Sequence, residues 1–272
     1  MHFRYFAPSP PLAPFISHYW LLESDPGDGN IGERVVPTGH IEMMFHYRKP
    51  FVVHDPLGVI TYQPKSMVSG LTGKWCDAVT QGDSGVLAVA FFPFSACRFF
   101  RFPLTEIEEK SIALNDLFSY EIHHLEEQLG EAVGQNHRLA IIEQFLLSKL
   151  LPDPGYDFFL IRQTIQRIKQ YQAQVSVTSL AAEMAVTPRT LERKFASLVG
   201  KSPKQYLRIA RFLETIKGLG KARGEALTQH ACQNGYFDQA HLIHDFRDLS
   251  GYTPTEFLNS CNQDNTIEEI TG

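Results

Sequence analysis

The sequence contains little cysteine and no long apolar run. Its four cysteines, Cys76, Cys97, Cys232 and Cys261, form no CxxC zinc motif. Isolated thiols favour structural cysteines in a reducing compartment over a disulfide framework, although a redox sensor built on Cys76 and Cys97 stays open. The longest apolar run, residues 86–92, is far shorter than the ~20 residues of a spanning helix. We therefore expect no membrane span.

Targeting and catalytic motifs are also missing. Residues 1–8 have no basic start, no continuous apolar stretch and no small-residue cleavage site, so we expect a cytoplasmic protein without a membrane partner. The chain has no nucleophile elbow, no phosphate-binding loop and no HExxH zinc motif. We therefore expect neither an enzyme nor a bound cofactor.

The net charge of −5 is unevenly distributed. Residues 157–260 contain 14 Lys and Arg against 9 Asp and Glu, whereas residues 1–156 contain 11 against 18, and residues 261–272 form an acidic tail. A basic block beside an acidic one is typical of a domain that faces a polyanion. A solvated face without any partner is the alternative.

The first hundred residues predict β structure. Short runs of β-branched and aromatic residues, separated by Gly, Pro and Asp, occur at 35–37, 41–47, 51–53, 58–62 and 86–92. From Asn115 onward, leucine and isoleucine recur every three or four residues, which predicts two helices joined near 134–136. The pattern favours an α+β chain whose β-rich part is a small barrel or sandwich.

A boundary is predicted at residues 152–155, where two prolines and a glycine interrupt the helical pattern. We assign 1–152 to a sensory or dimerisation domain and 157–260 to an all-α domain. The second part contains an internal repeat with an offset of 51 residues. It pairs Leu191 with Leu242, Phe195 with Phe246, Gly200 with Gly251, Pro203 with Pro254, Tyr206 with Phe257 and Leu207 with Leu258.

Each repeat predicts a helix-turn-helix. In the first, at about 178–199, Thr178 caps a short helix and Thr187-Pro188 opens a second helix after a turn at 185–186. In the second, at about 227–249, the turn lies at 234–236 and Asp238 is the cap. A linker helix over 203–219 would span about 26 Å at ~1.5 Å per residue. Such a spacer suits two helices on major-groove segments ~34 Å apart.

These segments resemble the AraC family of bacterial transcription regulators over about 158–258. The resemblance rests on 179–181 (SLA), 187–195 (TPRTLERKF), 200–211 (GKSPKQYLRIAR), 235–242 (GYFDQAHL), Phe246 and 251–257 (GYTPTEF). It implies a seven-helix domain that inserts two helix-turn-helix units into adjacent major grooves. Activation is the commoner outcome in that family, but these residues do not decide the sign of regulation.

The resemblance places base reading at the exposed start of each second helix. That maps onto Arg189, Glu192 and Arg193 in the first unit and onto Gln239, His241 and His244 in the second, side chains that suit guanine, adenine and cytosine edges. The candidate phosphate contacts are Thr190, Lys194, Lys201, Lys204 and Arg247. Where many members have Arg or Lys, this chain has His244 and Asp245, so we expect the second unit to contribute less affinity, and Asp245 to repel phosphate if it faces the DNA.

Residues 6–20 and 33–46 resemble an uncharacterised amino-terminal domain of some of these regulators, which implies a β-rich, cupin-like module. His40, Glu42 and His46 alternate along one predicted strand and are candidate metal ligands, with His54 or Asp55 to complete the site. Polar residues on an edge strand, with Met43 and Phe45 in the core, are the plainer interpretation, and we expect no metal. Trp20, Phe45 and Trp75 are candidate pocket residues, although core aromatics explain them equally.

The sequence therefore favours a regulator that binds double-stranded DNA at the nucleoid, with RNA polymerase as a further partner if it activates. A small-molecule effector or self-association as a homodimer would act through the amino-terminal domain. Two alternatives remain: a constitutive DNA-binding protein whose amino-terminal domain only dimerises or binds a partner, and an enzyme fused to a DNA-binding domain.

Overall fold

The computed structural model describes residues 1–152, 155–219 and 235–264. It confirms the α+β class, with a β-rich first part, intervening helices and a helical second part. The described strands are β1 (His2–Phe6), β2 (Ile16–Ser24), β3 (Gly32–Val35), β4 (Ile41–His46), β5 (Val52–His54), β6 (Ile60–Tyr62), β7 (Ser66–Ser69), β8 (Cys76–Val79), β9 (Ser84–Phe91) and β10 (Ser111–Ala113).

The strands form two antiparallel sheets. The larger sheet has the order β1-β2-β9-β4-β7-β10, and the smaller has the order β3-β8-β5-β6. All residues of β9 are buried, since this strand lies in the middle of the larger sheet and both of its faces are covered. The edge-strand interpretation of residues 41–46 is wrong, because β4 pairs with β9 on one side and with β7 on the other.

The helices of the first part follow the sheets. They are α1 (Leu114–Phe118), α2 (Tyr120–Glu131) and α3 (Gln135–Lys149). The expectation of two helices is wrong because Ser119, with a φ of 49°, interrupts the first one and separates α1 from α2. Ile122, Leu125 and Leu129 are buried at the predicted helical spacing.

The second part contains α4 (Tyr156–Gln170), α5 (Val177–Glu183), α6 (Pro188–Val199), α7 (Pro203–Leu219), α8 (Gln239–Ser250) and α9 (Pro254–Asp264). The linker helix predicted at 203–219 coincides with α7. None of the described helices is both long and apolar enough to cross a bilayer.

The two parts share a hydrophobic core. One cluster of buried side chains runs from Leu12 in the first part to Leu207 in α7. The ring of Phe94 packs edge-on against Phe158 of α4, with 5.7 Å between centroids. At the same interface, a Cβ on Gly200 would lie 2.8 Å from the carbonyl oxygen of Leu104. The β-rich part and the helical part are therefore packed directly against each other.

Candidate nucleic-acid interface and ligand cavity

The first helix-turn-helix unit consists of α5 and α6. Ser176, rather than Thr178, is the N-cap of α5, and its hydroxyl accepts a hydrogen bond from Ser179 N at 3.0 Å. The turn passes through Ala185, whose φ is 53°. Thr187 caps α6, and Pro188 is its first residue, so the structure places the start of this helix where its caps predict it.

The second unit repeats the same pattern. Helix α8 begins and ends 51 residues after α6, and Asp238 Oδ1 accepts a hydrogen bond from His241 N at 2.8 Å, as Thr187 does for Thr190. Gly200 and Gly251 end the two helices in the left-handed conformation. Helix α9 starts 51 residues after α7. The helix predicted from Leu227 and the turn residue Asn234 lie outside the described residues.

The structure places most of the base-reading candidates in solvent. Arg189, Glu192 and Arg193 are exposed at the start of α6, and Leu191 and Phe195 are fully buried on its opposite face. On α8, the His244 side chain is 70% exposed and His241 is also exposed, while Gln239 is partly buried. Both helices therefore present a polar face at their amino-terminal ends.

The phosphate candidates differ in their surroundings. Lys204, at the start of α7, is exposed, whereas the Lys194 ammonium pairs with Asp157 and lies 5.6 Å from the Tyr156 ring centroid. Thr190 Oγ1 accepts a hydrogen bond from the Thr187 hydroxyl at 2.9 Å. Arg247 of α8 is exposed.

Lys201 is not placed for a phosphate contact in this structure. Its side chain is 1% exposed, and its ammonium pairs with Glu109 and lies 3.4 Å from Glu108 Oε1, both in the first part of the chain. Gln205 Nε2 also donates to Glu108 Oε1 at 3.0 Å. Lys201 therefore lies at the interface between the two parts of the chain. Its sequence position after α6 does not reveal this burial.

Asp245 does not face solvent either. It is buried, and its Oδ1 accepts a hydrogen bond from Arg208 Nε at 2.7 Å. The neighbouring Asp248 binds Arg208 Nη2 at 2.7 Å. These two carboxylates attach α8 to α7, so the phosphate repulsion considered for Asp245 does not arise.

A cavity of about 960 Å³ lies between the two sheets. Its floor is the inner face of the larger sheet, where alternate residues of β2 and β4 line the cavity. Trp20 and Trp75, both predicted pocket residues, line the cavity. Phe45 does not, because it lies on the opposite face of β4 and is buried in the core with Met43.

The candidate metal ligands lie on the cavity face of β4. His40 and Glu42 line the cavity, and burial lowers the pKa of His40 to about 4 and raises the pKa of Glu42 to about 7. Burial likewise lowers the pKa of His46 to about 4, and its ring packs edge-on against Phe51. In the described ranges, no three His, Cys, Asp or Glu side chains are grouped as metal ligands.

Cys76 and Cys97 have the environment of structural thiols. Burial raises the pKa of the Cys76 thiol to about 11 and that of Cys97 to about 12. Both side chains are therefore protonated at neutral pH, and the thiolate that a redox sensor needs is disfavoured. Cys232 lies outside the described residues.

Side chains from the helical part reach the mouth of the cavity. Arg208 of α7 and Arg247 and Asp248 of α8 contribute to its lining, beside Arg34 and Trp75 of the first part. The Arg34 guanidinium lies 3.8 Å from the Trp75 ring centroid and makes a bidentate pair with Asp77, which raises the pKa of Arg34. A molecule in the cavity would thus contact both parts of the chain.

Comparison with protein families gives two matches. Residues 180–260 match the family described as a helix-turn-helix domain, and residues 4–113 match a domain of unknown function, DUF6597. Together with the resemblance of 187–195 and 235–242, the first match decides the type of the helical part. The chain carries an AraC-type helix-turn-helix domain. This domain contains α6, α7 and α8.

Several known proteins are similar to this chain over different shares of its length. It is 32% identical over 92 residues to the uncharacterized HTH-type transcriptional regulator YidL of Escherichia coli K12, a match that covers 34% of the chain and 31% of YidL. The matched segment thus spans about a third of that curated relative. ToxT from Vibrio cholerae is similar at 9% identity and a TM-score of 0.48, covering 85% of this chain and 97% of ToxT. A DNA-binding transcriptional dual regulator from Escherichia coli K-12 is similar at 23% identity and a TM-score of 0.34, covering 38% and 93% of the two chains.

Proposed function

We propose that this protein is a sequence-specific DNA-binding transcription regulator. The observation that carries the proposal is the repeat of α6 and α8, two helices of equal length with side-chain N-caps, glycine C-caps and polar starts. A helix of this kind fits the major groove, and its first turns supply the base contacts. Arg189, Glu192 and Arg193 would read one half of the site, and Gln239, His241 and His244 the other.

Fewer residues are available for phosphate contacts than the sequence predicts. Lys204 is exposed and would bind phosphate, and Thr190, Lys194 and Arg247 would do so from α6 and α8. Lys201 is engaged with Glu108 and Glu109, so we leave it out of the interface in this conformation. The resulting contact set is weighted toward the first unit.

The cavity is the proposed site of effector control. It is bordered by Trp20 and Glu42 of the β-rich part and by Arg247 and Asp248 of α8. A ligand bound there would change the packing between the two parts, and therefore the position of α8 relative to the sheets. A ligand shifts the equilibrium between two arrangements of these parts to the extent that it binds one arrangement better than the other.

Selection of bound sites from a random double-stranded DNA pool tests the proposal. The full chain should enrich two conserved blocks about one helical turn apart. Arg193→Ala should relax one block, at a cost of about 1–3 kcal/mol for one base, while the reciprocal variant His244→Ala should affect only the other block. If the full chain enriches no sequence, with and without cell extract as a source of effector, the proposed function is wrong.

A further inference from the structure

Glu42 lies at the floor of the cavity without a charged partner. Its Oε1 accepts a hydrogen bond from Trp20 Nε1 at 3.3 Å, the Thr38 side chain is a second hydrogen-bond partner, and within the described parts of the chain it forms no ion pair. Burying a carboxylate in this way is unfavourable unless a positive charge or several hydrogen bonds compensate it. Burial accordingly raises the pKa of Glu42 to about 7.

The strand register places this carboxylate close to the aromatic side chains of β2. Ala90 of β9 lies between His18 and Glu42, and Ala88 lies between Trp20 and Met44. Both alanines are small and fully buried, and the Trp20 indole reaches across β9 to Glu42. A ligand that contacts this face of the cavity would therefore touch Glu42 together with the aromatic residues of β2.

This face of the cavity is rich in rings. Phe3 and Trp20 are stacked with 5.7 Å between centroids, and both line the cavity. Tyr5 packs edge-on against His18, and His18 against His40. Aromatic faces attract cations through the ring quadrupole, and a cation bound beside these faces would in turn favour the ionised form of the Glu42 carboxyl.

The floor around Glu42 lacks a positive charge. The basic residues that line it are His18 and His40, and burial lowers the pKa of both, which favours their neutral forms at pH 7. At the mouth, Arg34 pairs with Asp77 and Arg208 with Asp245 and Asp248. Lys74, Lys110 and Arg247 also line the cavity, but within the described residues none of them pairs with Glu42. An acidic ligand beside Glu42 would therefore meet that carboxylate without a compensating cation.

We propose that the cavity binds an organic cation, a protonated amine or a quaternary ammonium on an apolar body, with the Glu42 carboxylate as its counter-ion. This inference rests on the effector cavity of the proposed function and names the chemical class of its ligand. The volume of about 960 Å³ admits a molecule considerably larger than a simple amine.

Three isosteric probes test the assignment: 2-cyclohexylethylammonium, 2-cyclohexylethanol and 3-cyclohexylpropanoate. Both tryptophans of the chain, Trp20 and Trp75, line the cavity, so their fluorescence reports binding directly. We expect the ammonium to bind at least about 10-fold more tightly than the alcohol, and the carboxylate to bind most weakly. Glu42→Gln retains an oxygen that accepts the Trp20 hydrogen bond and should abolish the preference for the ammonium over the alcohol.

Glu127→Gln is the matched control, because it removes one negative charge from the exposed surface of α2 and should leave the order of the probes unchanged. The inference is overturned if the carboxylate binds best, if Glu42→Gln keeps the wild-type order, or if no ammonium from tetramethylammonium to cyclohexylethylammonium binds at millimolar concentration. The same protein samples are also used in the selection of bound sites from random double-stranded DNA. Site enrichment without ammonium binding refutes the ligand class alone, whereas ammonium binding without any enrichment refutes the proposed regulator and leaves the ligand class standing.

Discussion

The guanidinium of Arg34 lies over the ring of Tyr252, 4.5 Å from its centroid, and so joins β3 to the segment that follows α8. Trp75 approaches the same guanidinium, and an added Cβ on Gly251 would lie 2.7 Å from both Arg34 Nη1 and Trp75 Cε2. The stack borders the ligand cavity, because Arg34 and Trp75 are also part of its lining. It is therefore the place where the cavity and the second helix-turn-helix unit meet.

A double-mutant cycle of Arg34→Ala and Tyr252→Ala should reveal coupling between the two parts. Cation–aromatic contacts contribute about 0.5–2 kcal/mol, so we expect a coupling energy in that range in urea unfolding. A cycle that combines Tyr252→Ala with Arg101→Ala is the control, since Arg101 is exposed. Additive effects of Arg34 and Tyr252 would show that the stack does not hold the parts together.

The stability of Glu42→Gln relative to wild type should increase with pH. The folded wild type keeps the Glu42 proton up to a pKa of about 7, whereas the unfolded chain loses it near the ordinary value of 4.5. Between these values the folded state binds more protons, so the free energy of unfolding of the wild type falls as pH rises. The Glu42→Gln variant has no carboxyl group at this position, so its free energy of unfolding does not fall with pH for this reason.

Melting temperatures measured between about pH 5 and pH 8 check this prediction. His40 and His46, whose pKa values are lowered to about 4, make the opposite contribution, since they favour folding as pH rises toward 6.5. They are present in both proteins and cancel in the difference. Glu127→Gln, which removes an exposed carboxyl group, is the control, and a pH-independent difference between Glu42→Gln and wild type would contradict the raised pKa of Glu42.

Lys201→Ala should lower the stability of the fold, whereas Lys204→Ala should leave it almost unchanged. Removing the buried Lys201 ammonium leaves Glu108 and Glu109 without their partner, and we expect a loss of about 1–3 kcal/mol in the free energy of unfolding, less than for a fully buried pair because both carboxylates are partly exposed. Lys204 is exposed, so its removal should change stability by less than about 0.5 kcal/mol.

Salt dependence of DNA affinity separates the same two lysines. Losing one phosphate contact lowers the slope of log affinity against log salt by about 1, and we expect this for Lys204→Ala. Lys201→Ala should retain the wild-type slope. A reduced slope for Lys201→Ala would mean that the lysine leaves its carboxylate partners when the protein binds DNA.

Gly200→Ala should destabilise the fold by more than about 1 kcal/mol. Its φ of 85° is left-handed, and the added Cβ would lie 2.8 Å from the Leu104 carbonyl oxygen, so both backbone strain and a clash oppose the change. Gly130→Ala is the matched control, because this helical glycine has open space around it and the change should be neutral or stabilising within about 1 kcal/mol. If Gly200→Ala and Gly130→Ala changed the thermal unfolding temperature equally, the close packing at Gly200 would be contradicted.

The helical part was predictable because its signals are local. Thr187 and Asp238 cap helices within three residues of themselves, Gly200 and Gly251 end them, and the apolar spacing of α7 lies entirely within that helix. The β-rich part was less predictable, and β1, β2, β7, β8 and β10 were missed. Short strands acquire their identity from neighbours that are distant in sequence, as β2 does from β9.

The sequence by itself determined the type of the helical domain, the repeat of its second helices and the residues on their polar faces, because caps, turns and helical periodicity act over a few residues. Tertiary structure alone decided that Lys201 is buried against Glu108 and Glu109, that Asp245 binds Arg208, and that Glu42 meets Trp20 over the small residues of β9. These contacts join segments 22 to 93 residues apart. Burial and charge pairing depend on such distant approaches, and no local pattern encodes them.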